Sequence, residues 1–175
     1  MDIIDKPWWM PEVIEWVDGF LATKEDPFVL EFGCGGSTIW LAEMALVISI
    51  EEESREWFTK INHELHKRSL PGRVFWNELP LAAIYYKSDL LILDGGDRVE
   101  HANRYWPYVK PGGVMMLDDS ERVLEYARLF RYMACTPRRD FMGVWGSEDP
   151  LREGKPRRTT IWRKAFQSDN RKGYN

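Results

Sequence analysis

The sequence predicts an α/β fold, a mostly parallel sheet with helices on both faces and an antiparallel final strand. Three observations predict it. Short apolar runs alternate with longer segments of helical period from residue 11 to residue 133. The runs at 28–32, 46–50 and 89–93 are apolar on both faces, as strands covered on two sides must be. After Pro137 the rhythm changes: residues 140–146 and 159–163 both read as strands with no helix between them, so the sheet should close on an antiparallel pair.

Each element has a local reason. Residues 11–22 place Val13, Ile14, Val17 and Leu21 near one helical face, with Trp8 and Trp9 just before it. The first strand, 28–32, runs into a glycine-rich turn. Gly33 and Gly35 let the chain bend and expose bare backbone, and Ser37 and Thr38 can cap a helix over 39–45. The second strand, 46–50, ends at Glu51, Glu52 and Glu53. The helix over 53–68 carries the stripe Trp57, Phe58, Ile61 and Leu65, with His63 and His66 opposite it as surface residues. Pro71-Gly72 closes the connection to a third strand at 73–77. The fourth strand is 89–93. A helix over 98–108 is stopped by Pro111-Gly112-Gly113, and the fifth strand follows at 114–117. A helix over 121–133 precedes the closing pair, whose connection holds Pro150, Gly154 and Pro156. Residues 1–164 read as one domain with an N-terminal helical segment over 1–25, and 165–175 as a polar, frayed tail.

Composition narrows the function classes. A chain of 175 residues suits one domain with a real core, and 44% hydrophobic with 14% aromatic residues excludes a disordered chain. No apolar stretch approaches the ~20 residues of a membrane span. The first six residues lack the basic start and apolar core of a signal peptide. Cys34 and Cys135 are too few for a disulfide framework, so a reducing cytoplasm is expected. The net charge of −4 is uneven: residues 1–127 hold 12 basic and 23 acidic side chains, residues 128–175 hold 12 and 5. Either the basic part meets an anionic partner or it is a solvated surface. Arg157, Arg158, Arg163 and Lys164 flank the last strand, where they could line a substrate mouth for an anionic small molecule.

The glycine turn is the stretch that can name a cofactor. A dinucleotide fingerprint needs a third glycine where this chain has Thr38. Glu31, two residues before Gly33, would repel a pyrophosphate and suits a cationic ligand such as S-adenosylmethionine. Glu51 lies about 20 residues on, where an acid can accept from both ribose hydroxyls. Glu52 and Glu53 read as charges at a helix start.

Four motifs now stand in order: Glu31-x-Gly33-x-Gly35-x-Ser37, the acid Glu51, Leu90-Leu91-Ile92-Leu93-Asp94-Gly95, and Lys110-Pro111-Gly112-Gly113 running on to Asp118-Asp119. Over roughly residues 26–164 this set resembles class I S-adenosylmethionine-dependent methyltransferases of small single-domain type. The resemblance implies a Rossmann-like methyltransferase fold with helices on both faces, S-adenosylmethionine as cofactor, and one-carbon transfer. It places cofactor contacts at Glu31, Gly33, Cys34, Gly35, Ser37, Glu51, Asn77 and Asp94.

The strand ends carry the chemistry. Asp94 ends the fourth strand, and Asp118 and Asp119 end the fifth. Three converging carboxylates repel unless a cation sits among them, and hard oxygen ligands suit Mg²⁺. That pattern resembles the metal-dependent O-methyltransferases, with Asp94, Asp118 and Asp119 as metal ligands. The other reading is that Asp119-Ser120 caps the next helix while Asp94 holds its loop. Where the catechol-type enzymes place a lysine base, this chain has Asp97, which either acts as base or pairs with Arg98. His101 lies four residues beyond Asp97 on the same helical face, as an orienting partner or as an ordinary exposed pair. The expected function is O-methylation of a small hydroxylated acceptor. Nucleic acid is not the expected partner: the Asn/Asp-Pro-Pro-aromatic run of amino-methylating enzymes is missing after Asp94, no cysteine follows a proline there, and the acidic total opposes phosphate. The alternatives are an RNA or other macromolecule methyltransferase, a non-catalytic cofactor-binding protein and, last, a dehydrogenase. Trp8 and Trp9 are candidates for a lid, a filled core edge or a homodimer contact.

Overall fold

The computed structural model describes residues 6–80, 85–146 and 151–166. The apolar run Phe28–Phe32 forms β1, buried at every position, and the sheet grows from it on both sides. β2 (Leu46–Glu51) pairs parallel with one edge and β3 (Gly72–Trp76) with β2. β4 (Ser88–Leu93) pairs parallel with the other edge of β1, and β5 (Val109–Leu117) with β4. β7 (Pro156–Arg163) then runs antiparallel to β5, and β6 (Arg138–Val144) antiparallel to β7. The order is β3-β2-β1-β4-β5-β7-β6, and it has the mostly parallel sheet with an antiparallel finish that the sequence predicts.

Strand residues part alternately to two cores, because successive side chains point to opposite faces. Val29, Leu90, Ile92, Val114 and Met116 meet α1 (Pro11–Leu21), α2 (Gly36–Ala42) and α3 (Arg55–Lys67) in one cluster. Leu30, Leu91, Leu93, Met115 and Leu117 meet α4 (Arg98–Tyr105) and α5 (Ala127–Tyr132) in the other. Each buried aliphatic side chain contributes about 1.5–3 kcal/mol. Trp9 is in the first core, edge-on to Trp40 at 6.1 Å, while Trp8 is 47% exposed. Among the described residues no helix is long and apolar enough to cross a membrane.

Some boundaries differ from expectation, for identifiable reasons. α2 begins at Gly36, so Ser37 and Thr38 lie inside its first turn. β5 starts at Val109, not Val114. Pro111-Gly112-Gly113 is a strand irregularity in which the register shifts between Ser88↔Val109 and Leu90↔Val114. The helix expected over 121–133 is reduced to Ala127–Tyr132. Ser120 N donates to Arg158 O at 2.7 Å and Arg158 N to Glu121 Oε2 at 3.0 Å, which ties this stretch to the start of β7 instead of letting it wind. A three-residue 3₁₀ turn, Trp106–Tyr108, finishes the helical segment after α4. β6 runs Arg138–Val144, two residues earlier than the expected 140–146, and β7 runs Pro156–Arg163, starting before the expected 159 and ending at 163 as expected. Part of the connection between them, 147–150, and tail residues 167–175 lie outside the described residues.

Strand order reverses between β1 and β4, which opens a crevice beyond their carboxyl ends. At the opposite end Asp89 Oδ2 accepts from Phe28 N at 3.0 Å and from Lys110 Nζ at 2.7 Å, which pins the sheet away from that crevice.

Candidate active site at the strand ends

The turn after β1 is built around two glycines that touch. Gly33 has φ +92°, and a Cβ on it would lie 3.1 Å from Gly95 N. A Cβ on Gly95 would lie 2.9 Å from Gly33 Cα. The loops after β1 and β4 thus cross backbone on backbone, with Asp94 N donating to Phe32 O at 2.9 Å and Gly33 N to Ile50 O at 2.8 Å. Gly35 is different. Its φ of 175° is open to any residue, and a Cβ there meets nothing within 4 Å.

Glu31 sits under this turn and is fully buried. Ser37 Oγ donates to Oε1 and Thr38 Oγ1 to Oε2, each at 2.6 Å, and Ser49 Oγ donates to Oε2 as well. Thr38 Oγ1 also accepts from Gly35 N at 3.0 Å. Burial pushes the carboxyl above the usual range, and the three hydroxyls pull it partly back. Thr38, the residue that spoils a dinucleotide fingerprint, is thus a strut of the turn.

Glu51 is buried at the end of β2. Its Oε1 accepts from Glu53 N and Ser54 N, both at 2.8 Å, and its Oε2 from Cys34 N at 3.2 Å. Asn77 N donates to Glu51 O at 3.0 Å, and Asn77 turns the chain there with φ +59°. Burial, then the charges of Glu51 and Glu31, push the Cys34 thiol far up. Glu52 and Glu53 reach past the helix start: Glu52 Oε2 lies 3.0 Å from His101 Nε2, and Glu53 Oε1 accepts from Gly96 N at 3.2 Å.

Asp97 and His101 do not form the pair their spacing suggests. Asp97 caps α4, accepting from Glu100 N at 2.9 Å. His101 pairs with Glu52 and stacks on Phe32 with centroids 3.9 Å apart.

The strand-end acids are met by arginines. Arg98 donates to Asp118 O at 2.6 Å and to Asp94 O at 2.7 Å, and its Nη2 lies 3.5 Å from Asp94 Oδ1 and 3.8 Å from Asp119 Oδ2. Asp119 also takes Arg122 at 2.7 Å and Arg152 at 3.0 Å. Asp118 accepts from Thr159 Oγ1 at 2.6 Å, with Arg157 Nη2 at 3.7 Å. Burial and then the Asp118 charge hold the Asp94 carboxyl well above the usual range, against the pull of Arg98. Burial raises Asp118 too, opposed by Thr159 and Arg157. These residues do not fit a divalent ion: among the described residues no three His, Cys, Asp or Glu side chains are grouped to hold one, and Asp119's oxygens face three guanidinium groups.

Of the four basic side chains expected at a mouth, Arg163 is exposed, with its guanidinium 5.6 Å from the centroid of the Phe20 ring, and the other three are engaged within the fold. Arg157 is buried, its guanidinium 3.7 Å from the centroid of the Trp145 ring. Arg158 donates to Ser120 Oγ at 3.1 Å and to Ser120 O. Lys164 Nζ donates to Trp106 O, Pro107 O and Val109 O at 2.7–3.0 Å. The sequence reading missed Ser49 and the engagement of Asp119 by Arg122 and Arg152, and it paired Arg98 with Asp97 where the structure has it on Asp94. Ser49 could have been flagged as a hydroxyl inside an apolar strand, and Arg98 by its four-residue spacing from Asp94.

No family model and no curated protein matches the sequence. Solved structures do match. The O-methyltransferase TomG of Streptomyces achromogenes, involved in tomaymycin synthesis and solved with S-adenosylmethionine, is 15% identical with TM-score 0.70, over 90% of this chain and 81% of its own. The fold is that of the class I methyltransferases. A SAM-dependent O-methyltransferase of Thermotoga maritima matches at 19% identity and TM-score 0.60, over 97% of this chain and 69% of its own. The C-terminal domain of precorrin-6Y C5,15-methyltransferase of Rhodobacter capsulatus matches at 16% and 0.59, over 93% and 99%. This methyltransferase fold therefore serves neighbours named for different acceptors.

Proposed function

We propose that the protein transfers a methyl group from S-adenosylmethionine to a hydroxyl of a small acceptor, without a metal ion. The observation that carries the reading is Gly35, a glycine that neither dihedral strain nor packing demands, set between Glu31 and Glu51 at the crevice. Bare backbone facing open space is what a closely approaching ligand requires.

The residues fit that cofactor. Glu31 holds the turn's shape through Ser37, Thr38 and Ser49 and adds negative potential beneath a cationic ligand. Glu51 is assigned the ribose hydroxyls through Oε2, which accepts the 3.2 Å Cys34 N–H. Gly33, Cys34 and Gly35 supply backbone along the ligand, and Asn77 shapes the adjacent turn. When bound, S-adenosylmethionine supplies a sulfonium methyl, and the sulfur leaves as a neutral thioether once the S–C bond breaks. Asp94 is assigned the proton of the acceptor hydroxyl as the new O–C bond forms. Its side chain is 34% exposed beside the crevice, which leaves it open to an acceptor hydroxyl within hydrogen-bond reach. Arg98 positions Asp94 by holding its carbonyl. Asp97 and His101 are assigned structural roles, as helix cap and as partner of Glu52.

Calorimetry tests the cofactor. S-adenosylmethionine or its demethylated product should bind, NAD should not, and the reverse result overturns the reading. Activity retained in chelator is the expected outcome for metal independence; loss restored by Mg²⁺ overturns that part alone.

A further inference from the structure

We propose that the outer edge of β6 is a dimer interface, where β6 pairs antiparallel with β6 of a second copy of this chain about a twofold axis at Phe141. Pairing there does not depend on the methyltransferase reading.

The sheet ends in two edges, β3 and β6, and the chain treats them differently. At β3 the outward groups are already engaged. Asn62 of α3 reaches across, its Nδ2 donating to Val74 O and its Oδ1 accepting from Val74 N, both at 2.9 Å. Gly72 N donates to Leu70 O at 2.9 Å. A side-chain amide thus stands where a further strand would add. Among the described residues β6 has no such guard. Arg163 N donates to Pro137 O and Trp145 N to Lys155 O, each at 2.9 Å. The odd-numbered residues of β6 therefore bond to β7, and the even-numbered ones face away from it. The N–H and C=O groups of Arg138, Asp140, Met142 and Val144 line the outer edge, and no described residue hydrogen-bonds them. Met142 is 79% exposed and Val144 66%. Bare backbone beside exposed apolar side chains is a template for strand pairing.

The charge pattern makes a second copy the occupant. Antiparallel pairing about Phe141 runs the whole strand against itself. Arg138 then lies opposite Val144 of the copy, Asp140 opposite Met142, and Arg139 opposite Gly143, so no like charges meet. An axis at Asp140 would oppose two carboxylates, and one at Arg139 two guanidinium groups. An axis at Met142 would carry Arg138 past the end of the copy's strand. Because Asn62 guards β3, each chain offers one open edge, and a twofold pair closes both without further growth. β6 also flanks β7, whose Arg157 and Thr159 reach Asp118, so the pairing would brace the strand that serves the strand-end acids.

Analytical ultracentrifugation of the full chain over a range of concentrations tests this, with amide hydrogen exchange on the same samples. The expected result is a species of twice the 20.7 kDa chain mass, with the Asp140, Met142 and Val144 amides protected as it forms. Met142→Pro removes an outward N–H and spares the bonds to β7, so it should abolish the dimer. Val144→Lys sets a cation opposite Arg138 of the copy and should weaken the dimer roughly tenfold, while Val144→Glu should tighten it by a similar factor. Val144 is exposed, so this second pair should fold and decides the matter even where Met142→Pro does not fold. A monomer at every concentration overturns the proposal and leaves the edge to a strand of another protein. So does a dimer whose β6 amides exchange freely, or one that Val144→Lys and Val144→Glu affect alike or in the opposite sense.

Discussion

Replacing each of three glycines by alanine distinguishes turn architecture from ligand approach. At Gly95 the new Cβ lies 2.9 Å from Gly33 Cα, backbone that cannot swing aside. Overpacking of that kind costs about 1–3 kcal/mol. At Gly33 the contact is 3.1 Å to Gly95 N, and φ is +92°; the left-handed strain adds about 1–2 kcal/mol. At Gly35 there is neither clash nor strain, and Gly→Ala at a compatible site stabilises by about 0.4–1 kcal/mol through the unfolded chain. Thermal unfolding should therefore give Gly33→Ala the lowest Tm, Gly95→Ala the next, and Gly35→Ala a Tm at or slightly above wild type, with about 2–4 °C for each kcal/mol. Calorimetry should give the opposite surprise: Gly35→Ala, the most stable of the three, should lose S-adenosylmethionine affinity because its methyl stands in the ligand's path. Gly35→Ala that binds the cofactor like wild type would refute the reasoning, as would one that unfolds as early as Gly33→Ala.

Other perturbations separate the remaining roles. Glu51→Ala should weaken cofactor binding by roughly tenfold to a hundredfold, the loss of charge-assisted hydrogen bonds of about 1.5–3 kcal/mol, while Glu52→Ala, which frees His101, should bind normally; calorimetry on both decides. Glu31 has a folded pKa above its unfolded value, so the stability it contributes is full below the ordinary carboxylate pKa and is lost as pH rises through the raised one. Urea unfolding should accordingly show wild type minus Glu31→Gln largest in acid and shrinking toward neutral pH, and a difference that grows with pH contradicts this. Arg157→Ala should lower stability by about 2–4 kcal/mol, since it removes a desolvated contact with Trp145 and a counter-charge to Asp118; a raised acceptor KM with unchanged Tm would restore the mouth-lining role that the sequence suggests.

The fold was readable where one physical cause dominates. Apolar runs such as Phe28–Phe32 can only be central strands, and the absence of a helix between the last two runs could only be an antiparallel pair. Val109–Leu117 was harder, because Pro111-Gly112-Gly113 reads as a stop. Only the partner strand reveals that a register shift accommodates it. Residues 121–126 follow a helical pattern, yet contacts to Arg158, 37 and 38 positions away, override it. The site shows the same divide. Asp94, Asp118 and Asp119 stand out as acids, but what faces them does not, since Arg152 is 33 positions from Asp119 and Thr159 is 41 from Asp118. Glu31 was visible as an acid below a turn; that Ser49, 18 residues on, holds it was not.

The uneven charge of the chain acquires a physical use at the strand ends. The acidic part brings Asp94, Asp118 and Asp119 together, and the basic part returns Arg152 and Arg157 to them across the sheet, alongside Arg98 and Arg122. Four guanidinium groups against three carboxylates leave no deficit of positive charge for a divalent ion to fill, and such an ion would instead meet repulsion. Guanidinium groups also do what a bound ion does not: Arg98, through two carbonyls, fixes the ends of β4 and β5 relative to each other. The position of Asp94 is thereby set by covalent chain rather than by an exchangeable ligand. Asp94 is also the one of the three acids whose side chain is substantially exposed, 34% against 6% for Asp119. The proposed assignment of proton transfer to Asp94 rests on that difference, with Asp118 and Asp119 engaged by Thr159 and the arginines.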